Sequence, residues 1–169
     1  AANIASLGAG SQLLSFVGED DAGRRLESIL DMAGVDHHLH IDPRSRTTEK
    51  LRIVSRNQQL LRADFEDRPD SGLLARSVTD FKELLGSADV VVISDYGKGG
   101  LANVVEMIGA AKERGIPVVV ALNMMDVADK HGVHIDPIAL SKNLGCPVVP
   151  VIASRNDGID GLLDVMQHY

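Results

Sequence analysis

The stretch 116-IPVVVALN-123 decides the fold. From Ile116 to Leu122 no side chain is polar, and the run closes on Asn123. A strand with no wet face needs helices over both sides, which is the environment of a parallel sheet between helical layers. The flanks agree. Before it, 101-LANVVEMIGAAKERG-115 has helical spacing, with basic residues in its last turn and Gly115 as its stop. After it, a helix-like segment over 124–132 leads to 136-DPIALSKNLG-145. That second segment has Asp136 at an N-cap and Pro137 in the first helical position. A strand, 146-CPVVPVIAS-154, and a last helix over 157–169 follow.

Upstream, 89-DVVVISDYGKGG-100 reads as an apolar strand entering a glycine-rich loop. It is preceded by a helix over 70–88 with Asp70 or Ser71 as N-cap. From residue 70 onward helix and strand alternate. This predicts an α/β fold: a three-layer α/β/α Rossmann-like sandwich with a mostly parallel sheet, residues 1–169 forming one domain. In such sheets ligands sit beyond the carboxyl ends of the strands, here "SDYGKGG", "NMMD" and "ASRNDG".

The first third reads differently. Residues 2–9, "ANIASLGA", resemble the last turns of a helix stopping at Gly8, so the opening looks cut from something longer. A strand over 12–17 leads to a helix with Leu26, Ile29, Leu30 and Met32 as its apolar positions and Gly34 as its end. A short strand over 36–42 follows. In 47-TTEKLRIVSRNQQLLRADFE-66, Leu51, Ile53, Leu61, Ala63 and Phe65 alternate with Arg52, Arg56, Gln58, Arg62, Asp64 and Glu66. Period-two alternation predicts an antiparallel hairpin with one dry face, turning at "SRNQ", with Asn57 as its left-handed residue.

Composition narrows the classes. With 44% hydrophobic residues, 3% aromatic and no Trp, the core must be aliphatic. A net charge of −7 argues against a nucleic-acid partner and against an anionic membrane surface. Cys146 stands alone, so no internal disulfide or cysteine metal cluster is possible, and a small buried residue is expected there. The chain has no apolar run of membrane-spanning length and no basic leader at its start, which leads to the expectation of a cytoplasmic protein. His38 and His40 share a strand face and His37 points away, too few ligands for zinc. No cofactor and no metal are expected.

Two resemblances then appear. "NIASLGA", "VGEDDAGRRLESIL", "TTEKLRIVSRNQQLLRADFE" and "SDYGKGGL" closely resemble the sugar-kinase part of the bifunctional heptose-phosphate kinase/adenylyltransferases. These belong to the ribokinase-like carbohydrate kinases, and the resemblance runs over roughly residues 1–118. From about residue 118, "LNMMD…DPIALSKNLGCPVVPV" resembles the C-terminal half of the G domain of ferrous iron transport protein B. The two families do not normally share a chain. The reading is therefore an engineered chimera, 1–118 kinase-derived and 118–169 GTPase-derived, joined inside "GIPVVVAL". Either parent could supply that strand, because cores tolerate swaps that keep volume and pattern.

The second resemblance implies that Asn123 and Asp126 pair with the edge of guanine, with Ala153 and Ser154 contributing from the next strand end. The alternative is that Asn123 and Asp126 merely cap a helix. A complete GTPase also needs G-x-x-x-x-G-K-[ST], and no such octet occurs; "DDAG" and "DMAG" are chance matches to a switch motif. The first resemblance implies that Arg56, Asn57 and Lys98 once faced substrate or phosphate. The kinase family's Gly-Ala-Gly-Asp is absent: "LGAGSQ" continues with Ser11. The expectation is a chimera without a complete active site. A weak guanine-nucleotide module and a residual heptose-phosphate kinase are the alternatives. In the kinase family the corresponding strands form a lid that often packs on its twin, so a homodimer through the hairpin is also expected.

Overall fold

The computed structural model describes residues 1–56 and 58–168. The chain divides into two compact units, Ala1–Val104 and Val105–Tyr169.

The first unit opens with a one-turn helix α1 (Ala2–Ser6) and strand β1 (Gln12–Gly18). Helix α2 (Asp21–Met32) follows, then β2 (Asp36–Asp42). β1 and β2 pair in parallel, Leu14 opposite His38 and Phe16 opposite His40. The Asp20 carboxylate accepts the Gly23 N–H at 2.8 Å and caps α2, satisfying a backbone donor that the first turn leaves free. Its buried stripe is Gly23 and Leu30, with Leu26 half-buried. Ile29 and Met32, expected on that stripe, are exposed. The one-turn spacing 23–26–30 defines a narrower face than the apolar residues alone implied. Gly34 ends the helix at φ 65°, where a side chain would be strained, and buried Val35 closes back with its N–H on the Leu30 carbonyl at 3.0 Å.

Strands β3 (Glu49–Ser55) and β4 (Gln58–Phe65) form the antiparallel hairpin. Leu51 faces Ala63, and Ile53 faces Leu61 across the ladder. The alternation is therefore real, but no dry face results. Every residue of β3 is exposed, and Leu61 and Phe65 remain 53% and 39% exposed. The left-handed turn residue is Arg56, at φ 46°; Asn57, expected in that role, lies outside the described residues. Helix α3 (Ser71–Leu84) is capped by Asp70, which accepts the Gly72 N–H at 2.8 Å. It buries Leu73, Ser77, Val78 and Phe81, with Leu85 in the turn beyond. That is one continuous helical face, and each large apolar residue on it contributes about 1.5–3 kcal/mol. The expected strand over 89–95 forms no β-ladder, and Val90 and Val92 are 79% and 72% exposed. An apolar pattern says which side chains need cover. It does not supply the neighbouring edge that makes a strand.

In the second unit, α4 (Val104–Glu113) buries Met107, Ile108, Ala110 and Ala111 and ends at Gly115, φ 73°. β5 (Val120–Leu122) pairs in parallel with β6 (Val148–Pro150). Between them lie α5 (Met125–Lys130) and α6 (Pro137–Leu144). Asp136 caps α6 by accepting the N–H groups of Ile138 at 2.9 Å and Ala139 at 3.1 Å, and Gly145 closes it at φ 63°. Cys146 is buried, and that burial pushes its thiol pKa up. Helix α7 (Ile159–His168) ends the described chain.

The class is α/β with mostly parallel pairing. The ladders among the described residues are three two-stranded sheets, β1–β2, β3–β4 and β5–β6.

Candidate functional site

β5 delivers Asn123 at its carboxyl end, and β6 delivers the turn Ala153–Arg155 at its own. Because the two strands run parallel, both ends face the same way, where α/β sheets present ligand sites. The Asn123 side-chain oxygen accepts two backbone N–H groups, Met124 at 2.8 Å and Ala153 at 3.1 Å. The second bond ties the two strand ends together. The N-cap of α5 is Met124, in the left-handed region at φ 65°, and no side chain caps that helix.

The turn after β6 is closed by its own backbone. Ile152 and Asp157 bridge antiparallel, the Ile152 N–H reaching the Asp157 carbonyl at 2.9 Å. Asn156 turns at φ 58°. This leaves Ala153, Ser154 and Arg155 exposed at the tip. Asp126 stands in the first turn of α5, and its Oδ2 lies 3.4 Å from Arg155 Nη2. The structure thus gathers Asn123, Asp126, Ala153 and Ser154 at one corner. Arg155 joins them, a residue missed in the sequence because only its neighbours matched the pattern.

The corner has defined chemistry. With both lone pairs of its carbonyl oxygen taken, Asn123 can offer a ligand only its NH2 donors. The Asp126 carboxylate offers acceptors. A ligand edge with one acceptor beside two N–H donors complements this set.

The kinase-side candidates do not converge. Arg56 sits exposed at the hairpin tip. Lys98 is at the other end: its Nζ lies 2.5 Å from Glu66 Oε2, just past β4. Eight residues of strand separate the two ends, roughly 25 Å of extended chain. Glu66 also holds Lys50 at 3.1 Å, and the Lys98 and Lys50 bonds keep its carboxyl below the usual range. Lys98 borders a cavity of about 180 Å³ with Phe16, Asp42, Arg46 and Asp67. Arg46 there is itself 3.8 Å from Asp67. Asn57 lies outside the described residues.

A second polar cluster in the first unit is closed. Asp20 accepts from the Thr47 hydroxyl at 2.7 Å and the Thr47 N–H at 2.8 Å, besides its cap bond. The Thr47 hydroxyl in turn accepts the buried Gly18 N–H at 2.9 Å. These bonds, Thr47's hydroxyl foremost, hold the Asp20 pKa low. A Cβ on Gly18 would stand 2.8 Å from Thr47 N, so only glycine fits. With its acceptors occupied and its proton affinity lowered, Asp20 is a strut and not a general base. The histidines scatter as well. His37 Nε2 lies 3.1 Å from Asp31, while His40 stacks on Phe16 with Nε2 3.3 Å from Asp80 and no hydrogen bond. Among the described residues no group of three or more metal-capable side chains forms. No helix among them is long and apolar enough to cross a membrane.

Comparison with known proteins finds two kinds of relative. The family model described as "Ferrous iron transport protein B" matches residues 82–166, half of the chain. The protein described as "Bifunctional protein HldE" of Methylococcus capsulatus is 48% identical over 120 residues, covering 71% of this chain and 25% of its own length. That of Caulobacter vibrioides is 46% identical over 136 residues, covering 78% of this chain and 28% of its own. The chain therefore spans about a quarter of the length of these curated relatives. A solved structure, the tetrameric inhibited form of phosphofructokinase-2 from Escherichia coli, superposes with a TM-score of 0.54 at 20% identity. It covers 72% of this chain and 40% of that one, and shows a shared α/β fold. The matched spans overlap, since 120 residues do not fit outside 82–166. Through residues 82–166 this chain belongs to the ferrous iron transport protein B family, in the company of a kinase-like stretch whose relatives are the HldE proteins.

Proposed function

We propose that the chain joins a kinase-like and a G-domain-like fragment by deliberate recombination, and that its remaining chemistry is weak, guanine-selective nucleotide binding without phosphoryl transfer. The bond from Ala153 N–H to the Asn123 side-chain oxygen, 3.1 Å, carries this reading, because it assembles the corner beside Asp126. Guanine offers O6 and N7 as acceptors on one side and N1–H and its amino group as donors on the other. The Asn123 NH2 and the Asp126 carboxylate match that order; adenine's donor and acceptor are reversed. Binding is weak because these 169 residues contain no phosphate loop. Base contacts alone support roughly millimolar affinity, about −4 kcal/mol. Calorimetry tests this: GDP gives heat, ADP gives none, and Asn123→Ala abolishes the GDP signal. Absence of heat with GDP ends the reading. Heptose phosphate with ATP is expected to yield no ADP in a coupled assay.

The hairpin supports a homodimer in the same proposal. A two-stranded sheet is marginal alone, and Leu51, Ile53, Leu60 and Leu61 lie exposed on it. Sedimentation equilibrium is expected to show a dimer for the native chain and a monomer for Leu61→Lys.

A further inference from the structure

The ion pair at the corner resembles the ligand the corner is suited to. Arg155 Nη2 lies 3.4 Å from Asp126 Oδ2. A guanidinium presents N–H donors on one planar carbon. The N1–C2–N2 edge of guanine is also a guanidine fragment, with N–H donors on one planar carbon. Arg155 therefore offers Asp126 the same kind of donor that the base would offer. The carboxylate is only 19% exposed, so two such groups have little room to share it, whereas Arg155 is 61% exposed and free to swing into water. The turn that carries Arg155 is anchored independently, by the Ile152–Asp157 bridge and by Asn123. Releasing the arginine thus leaves the corner intact.

We infer that Arg155 is a built-in competitor for the base, its guanidinium occupying the Asp126 carboxylate until guanine displaces it. The inference rests on the guanine reading given above. The pair is single and long, and its arginine is exposed, a class that contributes little, so the competition is worth about two- to fivefold in affinity. The competition also lowers the margin between guanine and adenine. A base that cannot donate to Asp126 has no use for the carboxylate, so the competition weakens guanine binding and leaves adenine binding unaffected.

Titration of GDP and ADP into the native chain, Arg155→Gln and Arg155→Lys tests this, with affinities read by calorimetry. The expected result is a two- to fivefold tighter GDP complex for Arg155→Gln, a smaller gain for Arg155→Lys, and ADP unchanged. Arg155 is exposed, so its replacement removes no buried packing, and circular dichroism of each variant checks the fold. GDP bound equally well, or less well, by Arg155→Gln refutes the competition while leaving the guanine reading standing. GDP bound by none of the three proteins refutes the guanine reading and the competition together.

Discussion

Asp20 and Asn123 each reach across 27 and 30 residues of chain, respectively, to hold a distant backbone N–H, Thr47 at 2.8 Å and Ala153 at 3.1 Å. Around Asp20 the polar groups answer one another: Thr47 is buried, its hydroxyl accepts from Gly18, and Gly18 has no room for a side chain. Around Asn123 the surroundings are open, with Ala153, Ser154 and Arg155 exposed. The same hydrogen-bond chemistry makes a strut where every donor and acceptor is used up. It makes an open corner where some still face water.

Substitutions sharpen or break this comparison. The largest effect belongs to Asp20→Ala, which removes a helix cap and leaves a buried threonine unmatched. A loss of about 2–3 kcal/mol is expected in urea unfolding of the first unit. A loss below about 0.5 kcal/mol would mean the cluster is ornamental.

Acid comes next. Asp20, Asp42, Asp64, Glu66 and Asp70 all have carboxyl pKa values below their ordinary range, held down chiefly by hydrogen bonds from Thr47, the Arg44 backbone, Arg62, Lys98 and the Gly72 backbone, respectively. A depressed folded pKa stabilises fully above the unfolded value, near 4, and that stabilisation disappears as pH falls through the folded value. Thermal melts between pH 7 and pH 3 are expected to fall more steeply for the native chain than for Asp20→Asn. Parallel curves would remove Asp20 from the account.

The smallest effect on stability is expected at the open corner. Asn123→Ala should cost the second unit only about 0.5–1 kcal/mol, because the freed N–H groups can turn to water. The comparison fails if this loss equals that of Asp20→Ala.

Much of the local structure was legible in the residues. Asp70, Asp136 with Pro137, Gly34, Gly115 and Gly145 mark helix ends where spacing and capping chemistry placed them. Caps depend on neighbours within three or four residues, so the chain itself contains the information. The corner was half legible. Asn123 and Asp126 carry a recognisable spacing, but Arg155 acquires meaning only because parallel pairing of β5 and β6 brings residue 155 to residue 126. Ile29 and Met32 show the limit within a single helix: apolar type marked them for burial, and the packed face passed them by.

What the sequence determined by itself was the class of fold, the capped and glycine-closed helix ends, the hairpin ladder and the residue types at the corner of Asn123 and Asp126. Each follows from periodicity or from contacts a few residues apart. Only the tertiary structure decided that 89–95 takes no ladder partner, that both hairpin faces meet water, and that an arginine occupies the acceptor at the corner. Those outcomes depend on which distant surfaces meet, and a one-dimensional pattern states the need for cover without naming what provides it.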